Sequence, residues 1–207
     1  MAMAMVFTQW QCSSALYPIT ACRQVEGHYP YLLGGLRIDR PNQVWCADIT
    51  YLPMLQGFFY LVAIMDWFTR KVLASRISNT LEAEFCLEAL NEATHKFGPP
   101  ENMNTDQETQ FTSFNWTDQR KRAKTKISMD GKARYLDNIF TEGLSRSLKY
   151  ECAYLYAWEN GSQAKAGVGR WITFCNHLRP HAAHGGQLPA VVYFDATQTD
   201  QQVQAVA

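Results

Sequence analysis

Apolar and polar positions along this chain fall into two rhythms, and the switches between them mark out its elements. Val44 to Met54 and Phe58 to Asp66 are rich in β-branched and aromatic residues, and the Leu55-Gln56-Gly57 break between them predicts a hairpin. Lys71 to Ser78 continues as a third strand, so three consecutive antiparallel strands are expected. A four-residue recurrence then takes over at Leu81, Phe85, Ala89, Ala93 and Phe97 and predicts a helix. Asn79 with Glu82 reads as its capping box, and Gly98-Pro99-Pro100 as its stop. Glu101 to Thr105 predicts a short strand running into Asp106, followed by a helix from about Ser113 to Lys124 and a fifth strand at Ile127 to Met129. A loop begins at Asp130-Gly131. Trp158, Val168, Trp171, Cys175 and Leu178 predict the buried side of a C-terminal helix, whereas the first thirty or so residues show no clear period.

The stretch around Glu142 is the most strongly amphipathic. At 100° per residue, Asn138, Arg146 and Lys149 fall within about 40° of Glu142, whereas Phe140, Leu144 and Leu148 lie at about 160° to 240°. The apolar side can pack on a sheet, leaving a polar stripe of one acid, one amide and two cations facing outward. Read alone, the same stripe also fits a surface helix in which Glu142 and Arg146 form an ordinary i,i+4 pair. The element order β-β-β-α-β-α-β-α is that of a ribonuclease-H-like α/β fold, with a mixed central sheet of about five strands flanked by helices.

Composition narrows the setting. The chain has 207 residues, 47% hydrophobic and 18% charged, which suits one domain of ordinary size plus an appendage. Its longest apolar stretch, Phe58 to Met65, is too short to span a bilayer, and Met1 to Ala21 has no basic residue to open a secretory signal. A cytoplasmic protein without membrane association is expected. Six cysteines without a CxxC pair fit a reducing compartment. The histidines near Cys175 lack the tight spacing of a zinc site. Nineteen basic against nineteen acidic residues give no global excess for gripping DNA. The local run from Arg120 to Lys126 reads as a solvated helix end or a phosphate track. Asp66, followed by Arg70 and Lys71, reads as a paired or turn-capping acid and not a catalytic one.

Three carboxylates remain with chemical promise: Asp48 and Asp106 at strand-like positions and Glu142 on the amphipathic helix. Magnesium prefers hard oxygen ligands, a few carboxylates with water and substrate phosphate completing the shell. Paired ions of this kind activate a hydroxyl and stabilise a leaving oxygen in phosphodiester chemistry. Three acids from separate segments suit that task.

The residues around these acids carry a resemblance. Arg40-Pro41-Asn42-Gln43-Val44-Trp45-Cys46-Ala47-Asp48-Ile49-Thr50-Tyr51, then Asn104-Thr105-Asp106-Gln107 with Gln110-Phe111, then Asp137-Asn138 leading to Glu142 and Ser147-Leu148-Lys149, resemble the DDE transposases of bacterial insertion sequences. The similarity is to the second-frame product of a two-frame element, which has a retroviral-integrase-like catalytic core. Asn176-His177-Leu178-Arg179-Pro180-His181, with Gly185-Gly186 and Pro189-Ala190, is similar to that family's C-terminal signature. The resemblance implies metal-dependent strand cleavage at transposon ends and transfer of the 3′-hydroxyl into target DNA. It implies that Asp48, Asp106 and Glu142 are catalytic and hold two Mg2+ or Mn2+ ions. Lys149, Arg146 and Asn138 would contact DNA, as would His177, Arg179 and His181. Expected partners are transposon-end and target DNA, the first-frame product of the same element, and further copies of the chain assembled on DNA.

Some positions depart from the family pattern. Glu108 stands where a glycine is usual, which removes conformational freedom and adds charge beside the acids. Gly143 and Ser145 replace a larger or basic residue and an aromatic after Glu142. These departures support a second expectation, a truncated or decayed remnant without catalysis that at most binds DNA. The expected organisation is a non-matching, poorly ordered leader over 1–39, a catalytic core with its C-terminal helix over 40–195, and a tail over 196–207.

Overall fold

A computed structural model of the chain describes residues 29–129 and 139–206. Met1 to His28, the Asp130-Gly131 loop, Asp137 and Asn138 lie outside the described residues. Five strands form one mixed sheet: β1 (Val44–Pro53), β2 (Phe58–Asp66), β3 (Val72–Ser78), β4 (Asn102–Thr105) and β5 (Lys126–Met129), in the order β3-β2-β1-β4-β5. The first three pair antiparallel, with Gly57 at a φ of 77° in the first turn. β4 joins β1, and β5 joins β4, in parallel. The five-stranded α/β sheet is the one the element order predicts.

Helices cover both faces, so β1 reads as a nearly continuous buried run. Along it the side chains alternate. Trp45, Ala47 and Ile49 face α1 (Ala83–Phe97), whose Phe85, Cys86, Ala89, Leu90 and Ala93 fill that side together with Phe111 of α2 (Thr109–Thr112) and Trp116 of α3 (Phe114–Arg122). On the other face Leu52 and Leu61 meet α4 (Ile139–Leu148). This helix runs through a π-helical turn, Lys149–Ala153, into the short α5 (Tyr154–Tyr156). Leu148, Cys152 and Ala153 pack there with Trp158 and with Ala164, Val168 and Trp171 of α6 (Gly161–His177). A Cβ at Gly167 would lie 2.5 Å from the Trp158 indole, so the missing side chain is what lets α6 sit this close.

Three local expectations are corrected. The Asn79/Glu82 capping box does not form: α1 begins at Ala83, Glu82 occupies the cap without a side-chain bond, and Thr80 N–H is taken by Ser78 Oγ. Leu178 is 67% exposed, because α6 ends at His177 and its period ends with it. The basic run is not simply a solvated helix end, since Arg120 is buried 4.3 Å from the Trp116 ring, while Arg122 pairs with Asp118.

The rest of the frame ties the ends to the sheet. The segment around Pro30 to Leu33 runs beside β5: Leu33 is buried, Leu32 N–H donates to Ser128 Oγ, and Met129 N–H donates to Pro30 O. Asp66 is buried at the end of β2 and accepts from Asn42 N–H and from the N–H and hydroxyl of Thr69, the turn-capping role expected of it. The last helix, α7 (Pro189–Val206), is held by Tyr193, whose hydroxyl donates to Asn42 Oδ1 at 2.8 Å. Lys71 Nζ stands 4.1–4.3 Å from the rings of Phe97, Tyr193 and Phe194, a cation–π clasp between sheet and helix.

Candidate active site

The parallel pairing of β1 and β4 determines where the two aspartates meet. Val44 lies opposite Asn102 and Cys46 opposite Asn104. Carrying that register two residues onward sets Asp106, just beyond the end of β4, beside Asp48 in β1. Ligand sites in α/β sheets gather at such carboxyl ends of parallel strands. Two residues apart, Cys46 and Asp48 share a face, and so do Asn104 and Asp106. That face looks toward α4, because Ser145 Oγ donates to Asp48 Oδ2 at 3.4 Å.

Crowded acids in a half-buried cleft resist ionisation. Burial pushes the Asp48 carboxyl from 3.8 to about 7, Asp106 and then Glu142 add to the rise, and the Ser145 hydroxyl and Ile49 N–H oppose it. Asp106 is also raised by burial, against the Glu108 N–H that donates to its Oδ1 at 3.1 Å. Glu108 is pushed up to about 7 by burial, then by Asp106 and Asp48, and its Oε2 is buried without a hydrogen-bond partner. Its backbone is ordinary extended chain, with φ −64° and ψ 149°, so the conformational objection to a side chain here is overturned. The charge remains.

Glu142 is exposed in the first turn of α4, on the same stripe as Ser145 and Lys149. Lys149 is half-buried and opens the π-helical turn. Arg146 is exposed, 6.0 Å from the Tyr150 ring. Asn138 lies outside the described residues. The C-terminal trio is spread out: His177 is exposed at the end of α6, Arg179 is forked onto Glu151 at 2.6 and 2.7 Å, and His181 accepts from Ala183 N–H at a 3-10 turn, Ala182–His184. Arg179 is therefore matched within the chain.

Ser145 was legible only as a departure, although three residues from Glu142 it had to share that stripe. Among the described residues, no set of three or more His, Cys, Asp and Glu side chains converges closely enough to hold a metal ion. What the chain supplies is an aspartate pair with a glutamate helix beside it, all hard oxygen donors. No helix of the described residues is long and apolar enough to cross a membrane.

Comparison with known proteins gives this geometry a family. Residues 38–134 match the integrase core domain model, and residues 123–189 match a second model of the same description. The transposase InsF of insertion sequence IS3A from Escherichia coli (strain K12) is 33% identical over 153 residues, covering 72% of this chain and 53% of that protein. The transposase of insertion sequence element IS629 from Shigella sonnei is 28% identical over 142 residues, covering 68% and 48%. The chain thus spans about half the length of these relatives. Among solved structures, the simian T-cell lymphotropic virus intasome in complex with PP2A regulatory subunit B56 gamma aligns at a TM-score of 0.65 and 18% identity, over 81% of this chain and 58% of the other. The HTLV-2 integrase catalytic core domain in complex with magnesium aligns at 0.55 and 19%, over 76% and 99%. At these identities the structures speak for the fold. With two integrase-core matches running on from one another across most of its length, the chain belongs to the integrase core domain family, as a transposase-type member with a retroviral-integrase-like core.

Proposed function

We propose that this chain is the catalytic core of a DNA strand-transferring enzyme, cutting at insertion-sequence ends and joining a 3′-hydroxyl to target DNA. Asp48, Asp106 and Glu142 are its catalytic acids and would hold two Mg2+ or Mn2+ ions. The observation that carries the reading is the β1/β4 register, which brings Asp48 and Asp106 side by side, with α4 turned to the same place through Ser145.

The donor set fits a hard divalent cation. The carboxylates are oxygen ligands, burial and then the charge of Asp106 have driven the Asp48 carboxyl to about 7, and the Glu108 Oε2 is buried without a donor. Bound there, the ions would polarise the phosphodiester and lower the pKa of the attacking hydroxyl. The chain's own tasks are then positional. Ser145 donates to Asp48 from α4, and the Glu108 N–H that donates to Asp106 ties the loop after β4. Lys149 and Arg146, with Asn138, would track the DNA phosphates from the Glu142 stripe. The magnesium named with the HTLV-2 core is consistent with this assignment. The full reaction would draw on the first-frame product of the element and on further copies of the chain, on DNA in the bacterial cytoplasm.

Joining of a labelled transposon end to target DNA tests the reading, with the first-frame partner present. A product that requires Mg2+ or Mn2+, disappears in Asp48→Asn and persists in the surface control Asp118→Asn supports it; no product with either ion sinks it. The alternative, a remnant that at most binds DNA, is favoured by one observation: Glu108 adds a further carboxylate beside the pair, its Oε2 buried without a partner. Metal-independent DNA binding, equal in the wild type and Asp48→Asn and without product, is its signature.

A further inference from the structure

On the side of α4 away from Ser145 and Asp48 there is a second cleft, of about 360 Å³, that the reaction above leaves unused. Its walls are Arg70 from the turn after β2, Phe140, Gly143 and Ser147 from α4, and Arg179 and His181 from the C-terminal segment. That volume lies at the small end of the range for ligand sites, about 300–1,000 Å³. Gly143 keeps its wall open, since a Cβ there would meet nothing within 4 Å. Charge distinguishes the cleft further. Among the described residues no aspartate or glutamate lines it, two arginines and a histidine do, and the His184 ring stands 5.6 Å from His181.

The cations differ in how well they are matched. Arg179 is satisfied by its fork onto Glu151. Arg70 is not: its guanidinium lies 3.1 Å from the centre of the Phe140 ring, and its Nε and Nη1 are buried with no hydrogen-bond partner. Asp66, whose charge acts on Arg70, spends both oxygens on Asn42 N–H and on Thr69. His184 Nε2 is likewise buried without a partner. Leaving the charged donors of Arg70 unmet in a half-buried setting is costly, and an anion in the cleft would meet them. The setting shows in the titration of Arg70 and His181. Burial draws Arg70 down to about 10, and burial, His184, Arg70 and Arg179 together hold the His181 imidazole below its usual range.

We propose that this cleft is an anion site for a phosphate group, taken by the Arg70 fork with the imidazoles of His181 and His184. A planar guanidinium matches phosphate oxygens two at a time, which a lone ammonium does not. Because α4 separates the cleft from the carboxylates, the phosphate held there is not the one being cut. As a DNA backbone phosphate it would rest on the strand-transfer reading and anchor the duplex behind the catalytic helix. As a free phosphorylated molecule it would stand without that reading.

Nitrogen-detected or proton-detected NMR of the Arg70 Nε–H and the His181 and His184 rings, titrated with inorganic phosphate against chloride at equal ionic strength, tests the site. Saturable shifts with phosphate are expected, weakened about tenfold in Arg70→Met and less in His184→Gln. Lys165→Met, an exposed cation beside a different cleft, should leave them unchanged. The thermal melt of Arg70→Met confirms that it is folded; should it unfold, His184→Gln decides alone. A short DNA duplex that displaces the phosphate shifts identifies backbone phosphate as the ligand, and a duplex that leaves them in place identifies a free phosphorylated ligand. Absence of saturable shifts, or equal shifts in both site variants, overturns the proposal. Failure of strand transfer leaves this binding measurement untouched, so the two readings fail separately.

Discussion

Replacing Asp48 with asparagine should make the metal-free protein more stable at pH 8 while removing its response to magnesium. Asp48 has a carboxyl at about 7 in the folded chain against 3.8 in the unfolded one. In that window the folded state holds the extra proton, so stability falls as pH rises from about 4 to about 7 and the full cost is present at pH 8. At 1.36 kcal/mol per pH unit this cost is about 4 kcal/mol. For a chain of this size about 2–4 °C of melting temperature accompanies each kcal/mol, which makes the expected gain of Asp48→Asn at pH 8 about 8–16 °C.

Melting curves by circular dichroism from pH 5.5 to 8, with EDTA and then with MgCl2, read both halves of this claim. The wild type should lose stability toward pH 8 in EDTA and regain it with magnesium, since a cation bound only by the folded state adds stability. Asp48→Asn should be flatter and indifferent to magnesium. His181, held below its usual range, contributes stability above about 6.5 that is lost as pH falls, but it does so in both proteins and cancels in their difference. Glu92 and Glu151, whose carboxyls are lowered by Lys96, Arg76 and Arg179, act only below this window. Parallel pH profiles, or an Asp48→Asn variant that melts below the wild type at pH 8, would contradict a raised Asp48 carboxyl.

Three further outcomes are expected. Ser145→Ala removes a donor that favours the charged form of Asp48, so its carboxyl should titrate higher still by 13C NMR; an unchanged or lower midpoint contradicts the contact. Gly167→Ala forces a Cβ into the Trp158 indole and should cost about 1–3 kcal/mol by urea unfolding, whereas an unchanged midpoint would show that α6 can shift. Asn176→Ala strips Val72 N–H and C=O of the amide that meets both at 2.9 Å, at about 1–3 kcal/mol for each group left unmet. The Val72 amide should then exchange faster with deuterium, and unchanged protection would mean that the strand edge has found another partner.

Much of the frame was readable from periodicity, because the elements that define it are long and buried on defined faces. β1 and β2 run within a residue of their expected bounds, and the Phe85-Ala89-Ala93 recurrence is the packed side of α1. The failures are local and share a cause. Asn79 and Glu82 have the residue types of a cap, but Ser78 captures the chain first. Arg120 has the composition of a solvated run, yet Trp116 covers it. In each case a side chain two to four residues away competed with the expected arrangement. The candidate site was legible as three acids, and the register that pairs two of them was not, since nothing in spacing alone says that β4 lies parallel to β1. Ser145 was missed for a related reason: as a replacement it reads as a loss, and only the placement of α4 over β1 turns its hydroxyl toward Asp48.

The departures from the family pattern can now be weighed by physical kind. Gly143 costs helix propensity but no contact, as open space surrounds it. Ser145 exchanges bulk for a hydrogen bond to Asp48. Glu108 needs no unusual backbone, so the argument from positive φ fails, and what is left is the bulk of its side chain and one more negative charge beside Asp48 and Asp106. That charge acts in opposite directions on the two states of the site. Without a cation it raises the cost of ionising the pair; with divalent ions present it adds to the field that holds them. Whether this copy works thus turns on the balance between extra attraction for metal and loss of the close approach that a side-chain-free position would give to DNA. The same substitution can leave metal affinity intact or higher while strand transfer is lost, and binding and joining must therefore be measured separately before the chain is placed with working enzymes or with remnants.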